Sequence, residues 1–133
     1  MATSINWIAT PLVVGSNSLS AANPTYDGSG TVVTVVPTVS VKTAIYVLDA
    51  IATGATNAAG GLLYWVRVNG ANRWLEEVSL IRPSITPSAT TLPERITIVR
   101  SEFNPVLLEV GDSLAAYVTV ANPFSVRAYG GVF

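Results

Sequence analysis

Cysteine and histidine are both missing from these 133 residues, and charge is scarce, at 11% Asp, Glu, Lys and Arg. Without cysteine there are no disulfides and no thiol chemistry, and the redox compartment stays undetermined. Without histidine there can be no His-based catalytic triad, no zinc site with His ligands and no cupin-type metal centre. A typical soluble domain carries about 25% charged residues. A chain this poor in charge must rely on Ser, Thr and Asn for solubility or cover part of its surface with partners.

Long apolar runs are missing as well. A spanning helix needs about 20 mostly apolar residues, yet Ala44–Ala52 is interrupted by Asp49, and Thr31–Val41 contains three threonines and Pro37. The first basic residue is Lys42, so the start does not read as a secretory signal, which needs a basic region before its apolar stretch. Net charge of −1 and scattered basic residues give no stripe for nucleic acid. Arginine is present six times and lysine once; arginine's weakly hydrated planar fork suits buried and interfacial pairs.

What is present is a succession of short β-branched and aromatic segments separated by turn signals. The expected strands are Thr31–Val36, Thr43–Ala52, Leu62–Val68, Arg73–Ile81, Glu94–Val99, Val106–Val110, Ser113–Ala121 and Phe124–Tyr129. Asn69-Gly70-Ala71-Asn72 marks a hairpin. No segment shows convincing helical spacing over ten or more residues. Eight antiparallel strands in about a hundred residues point to an all-β sandwich of jelly-roll type. Residues 1–30 read as an N-terminal arm and linker, and 31–133 as the sandwich domain. Within the first thirty, Trp7 to Val14 is either the first strand or an arm that docks on a neighbouring subunit. Two segments, Thr43–Ala50 and Ser113–Ala121, read as covered on both alternating faces, and a subunit contact is one explanation.

The carboxylates do not assemble into a catalytic pair by local spacing. Glu76 and Glu77 are adjacent on an expected strand, which puts their side chains on opposite faces, with Arg67 or Arg73 as ion-pair partners. Asp49, Glu94, Glu102, Glu109 and Asp112 are not singled out by any motif. Calcium at Asp27-Gly28 or Asp112 lacks the clustered acidic loop, and the glycine pairs match no phosphate-binding spacing. No catalytic, cofactor or metal residue is therefore expected. Partner binding is expected of Trp7, Ile8, Leu12 and Val13 in the first segment and of Trp65 and Trp74 on the two arms of the hairpin. Exposed, that tryptophan pair would stack on sugar rings; buried, it would anchor a core or an interface.

Residues 31–133 resemble small jelly-roll-like proteins that decorate, or cement, the capsids of tailed bacteriophages. The resemblance rests on Tyr64-Trp65-Val66-Arg67-Val68, the turn at Gly70, Arg73-Trp74-Leu75-Glu76-Glu77-Val78, the Pro83–Pro93 loop, Val110-Gly111-Asp112-Ser113-Leu114 and Val126-Arg127-Ala128-Tyr129-Gly130-Gly131. It implies a non-enzymatic virion component on the capsid exterior, a homotrimer that binds the major capsid protein, in some relatives through an N-terminal arm. The alternative is a tail or fibre head domain that binds carbohydrate.

Overall fold

The computed structural model describes residues 12–101 and 103–132. They form nine strands and no helix: β1 (Leu12–Leu19), β2 (Val33–Val36), β3 (Thr43–Ala52), β4 (Leu62–Asn69), β5 (Asn72–Leu80), β6 (Arg95–Val99), β7 (Val106–Leu108), β8 (Ser113–Val118) and β9 (Phe124–Val132). Sheet I has the order β1-β9-β3-β6, with β7 also on β3, and sheet II the order β2-β8-β4-β5. The pairing is nested: β1 with β9, β2 with β8, β3 with β6 and β7, and β4 with β5 at the innermost turn. A single long antiparallel ribbon wrapped over two layers gives that order, and it is the jelly roll.

The core lies between the sheets. Inward residues of sheet I (Ile45, Leu48, Ala50, Phe124, Val126, Ala128) meet those of sheet II (Leu63, Trp65, Leu114, Ala116, Val118). Alternation places the intervening residues outside. The β4–β5 turn closes through Gly70 at φ 57°, the left-handed backbone that a two-residue hairpin favours.

Two sequence expectations need correction. Residues 12–19 are the edge strand β1, in register with β9 from Leu12 opposite Gly130 to Leu19 opposite Phe124; this agrees with the first-strand alternative for the described residues 12–14 and corrects the linker assignment of 15–19. The division at residue 30 therefore does not separate the sandwich from what precedes it. Second, the two-sided apolar character of β8 has a cover within the chain. The segment between β1 and β2 crosses the outer face of sheet II, where Tyr64, Val66 and Tyr117 form a second small core with the two rings stacked 4.9 Å apart. The Tyr117 hydroxyl donates to the Thr25 carbonyl at 3.1 Å and accepts from the Gly28 amide at 3.2 Å. Arg73 clamps the same segment by donating to the Gly28 and Gly30 carbonyls, each at 2.8 Å. No second subunit is needed to bury that face.

Candidate interaction surfaces

Because the segment between β1 and β2 covers the middle of sheet II, the outer face of sheet I is the broader sheet surface left open among the described residues, and the registers fix its layout. One transverse row runs Val13, Tyr129, Val47, Val99 across β1, β9, β3 and β6; the next runs Ser16, Arg127, Asp49, Thr97. Val13 and Val99 are well exposed, and Tyr129 and Val47 are half-buried between them. A hollow of about 280 Å³ opens there, lined by Val47, Asp49, Arg95, Thr97 and Tyr129. Arg95 donates to both Asp49 carboxylate oxygens at 3.2 and 3.1 Å, and the Thr97 hydroxyl donates at 2.7 Å, so the buried carboxylate is fully compensated.

The second open apolar surface is the flank where β5 and β6 are the free edges. Leu75, Val78 and Leu80 of β5 are exposed on the outer side of sheet II, Leu80 at 72%, and Phe103 in the β6–β7 turn at 81%. An exposed apolar edge strand is a template for pairing with another chain. Across this flank the two sheets are tied by Arg100, which donates to the Glu77 carboxylate at 3.0 Å.

The bulge in β5 changes the expectation for Glu76 and Glu77. The register breaks between Trp65 and Val66, with Glu77 opposite Trp65 and Leu75 opposite Val66, leaving Glu76 as the extra residue. Strict alternation is lost there. Glu77 stands on the inner side with Arg100, and Glu76 turns to Arg67, 3.9 Å away, so each carboxylate has its own arginine. Arg73 pairs with neither.

The expected partner-binding residues separate. Trp7 and Ile8 lie outside the described residues. Leu12 and Val13 are exposed at the start of β1, and Val13 belongs to the transverse row. Trp65 is a core residue, 1% exposed, and Trp74 is 42% exposed with the Arg67 guanidinium over its ring at 4.1 Å. They do not form a joint platform for a sugar. Val47, Tyr129, Leu80 and Phe103 were not singled out in the sequence; Val47 and Tyr129 come together only through strand register.

No family model and no curated protein matches this chain. Among solved structures, the Eiger TNF from S. frugiperda is similar to it at 14% identity, with 93% of this chain and 89% of that one covered and a TM-score of 0.45. The jelly-roll assignment rests on the strand pairing given above.

The other buried carboxylates have structural surroundings. Glu94 accepts from the Arg82 amide at 2.8 Å, the Arg82 guanidinium at 2.9 Å and the Arg95 amide at 3.1 Å. Asp112 accepts from Asn69 at 2.8 Å, the Glu109 amide at 3.0 Å and Arg67 at 3.2 Å. Burial opposes ionisation of both, but these donors and the nearby arginine charges outweigh it and hold both carboxyls below their usual values.

The sign for stability follows. Each group binds its proton more weakly in the folded chain than in the unfolded one, so its contribution is present above the unfolded value and lost as pH falls through the folded one. Thermal melts should show a midpoint falling below about pH 4.5, the ordinary Glu range. Glu94→Leu should flatten part of that fall and cost about 1–3 kcal/mol by leaving two amide donors unpaired. An unchanged acid limb in that variant would remove Glu94 from the account.

Proposed function

We propose that this chain is a structural virion component, a capsid decoration protein that assembles as a homotrimer and binds the major capsid protein on the outside of the shell. One observation carries the proposal. In a chain with only 11% charged residues, two apolar surfaces stay uncovered among the described residues, the row across sheet I and the outer side of β5, while the buried carboxylates are held in structural ion pairs. Exposed patches of that kind mark protein contacts. The motif resemblance to capsid cement proteins supplies the kind of assembly.

The mechanism is additive burial. Each copy removes apolar area from water at roughly 25 cal/mol per Å², and a multivalent oligomer engages several shell subunits at once, so attachment exceeds the affinity of one contact. The shell then resists expansion because rupture must expose all of that area together.

Light scattering on the purified chain at micromolar concentration should report a stable trimer, and the trimer should co-sediment with capsids stripped of it. A monodisperse monomer that ignores such capsids would refute the proposal. Hydrolysis of a polysaccharide, eliminated by one carboxylate-to-amide change with folding intact, would do so from the other direction.

A further inference from the structure

All seven cationic side chains of the chain fall within the described residues. Lys42, Arg67, Arg82, Arg95 and Arg100 form salt bridges, and Arg73 donates to two backbone carbonyls. Arg127 is the exception: it is exposed on β9 with no hydrogen bond or ion pair among the described residues. The register gives the reason. Arg127 lies directly opposite Asp49 on β3, but both carboxylate oxygens of Asp49 are already taken by Arg95 and Thr97. Its guanidinium is left on the outer face, two residues along β9 from Tyr129 and the hollow. We infer that this face is where the partner docks, and that it recognises a protein segment bearing a carboxylate beside an apolar side chain. Arg127 takes the carboxylate with its planar fork, and the apolar group enters the hollow between Val47 and Tyr129. This deepens the decoration reading, in which that segment belongs to the shell protein.

Charge is the first support. Arg95 and Arg127 stand on this face against Asp49 alone, the positions around them, among them Ser16, Ser125 and Thr97, being uncharged. Two positive groups and one negative leave +1 there, in a chain whose net charge is −1. The face runs against the charge of the molecule, and complementarity calls for an acidic partner. Composition is the second. Protein contacts are enriched in aromatic residues and Arg and depleted of Lys and Glu, and this face has Tyr129 and two arginines with neither Lys nor Glu. One unpaired guanidinium beside an apolar row also suits a single carboxylate better than a phosphate backbone, which several cations neutralise together.

Arg127→Gln removes the charge and keeps a polar side chain opposite Asp49; Arg127→Lys keeps the charge without the fork. In co-sedimentation with capsids stripped of the protein, the Gln variant should bind at least roughly 30-fold more weakly, as for truncation of one partner of an interfacial charge pair. The Lys variant should recover most of that loss. Attachment of the wild type should weaken as salt rises, and that of the Gln variant should respond less. Ala71→Glu, at the exposed tip of the β4–β5 hairpin, alters net charge away from sheet I and should attach like wild type. Circular dichroism melts check folding, and Arg127→Ala replaces the Gln variant if that one unfolds. A small probe separates the contact from decoration itself. In NMR titrations phenylbutyrate should shift the amide signals of Arg127, Tyr129 and Val47, and the uncharged phenylbutyramide should not. A folded Gln variant that attaches as well as wild type overturns the contact and leaves decoration standing. Wild type that ignores capsids yet discriminates the acid from the amide refutes decoration and supports the acid-recognising face, whereas an equal response to both probes overturns that face.

Discussion

Replacing Gly130 or Gly15 with valine should lower the melting temperature by 10 °C or more, where roughly 3–5 °C corresponds to 1 kcal/mol for a domain of this size. A Cβ on Gly130 would lie 2.0 Å from the Ala44 carbonyl oxygen and 2.9 Å from Ile45 Cα, and one on Gly15 would lie 2.1 Å from the Val35 carbonyl oxygen. Those neighbours are backbone atoms, so no side chain can rotate away. Gly130 sits where β9 meets the register break of β3, and Gly15 where β1 of sheet I closes on β2 of sheet II. Overpacking in a well-filled core costs about 1–3 kcal/mol, and here strands must also separate. Gly54→Ala is the control, since its new methyl would meet only Pro123 Cγ at 3.4 Å. Its melt should stay within about 0.5 kcal/mol of wild type. Tolerance of valine at both positions would mean that these close approaches are absent.

The second large effect is expected from truncation. Removing residues 1–11 keeps every described β1–β9 pair, from Leu12 opposite Gly130 to Leu19 opposite Phe124, and should leave a cooperative unfolding transition. Removing residues 1–19 should abolish it. That deletion takes away Leu19, 2% exposed in the core, and the Asn17 side chain that donates to the Thr34 carbonyl at 2.8 Å. It also leaves β9 as an unprotected edge, which favours aggregation. Proton-detected amide exchange or a urea melt distinguishes the outcomes. A folded 20–133 fragment would restore the reading of the first thirty residues as a dispensable arm.

These truncations mark where the sequence was hard to read. Thr43–Ala52 was legible to the residue, since nine of its ten positions, all but Asp49, are β-branched or apolar, and the hairpin was legible from Asn69-Gly70. β1 was not, because Gly15-Ser16-Asn17-Ser18 has turn composition. Its glycine is there for the close approach to β2 and its serines face solvent, so both features come from tertiary contacts. The same is true of the cover on sheet II: Tyr117 finds Thr25 across 92 positions, and linker-like composition cannot announce such a partner. The bulge at Glu76 is silent in sequence for a related reason, being a property of two strands together.

The candidate surfaces were legible only in part. Val13 was anticipated and falls on the transverse row, whereas Tyr129 and Val47 meet it through strand order alone. The tryptophans drew attention by type, but alternation sends Trp65 into the core. Low charge is legible from composition and fits either uncharged polar solvation or covered surface; the registers show which apolar side chains lie together on the outer face of sheet I.

The proposed decoration role is tested most directly by cryo-electron microscopy of tailed-phage particles mixed with the purified protein. Three jelly-roll domains are expected at each occupied site on the outer shell. Shells without this density, or density for this chain confined to the tail, would contradict it.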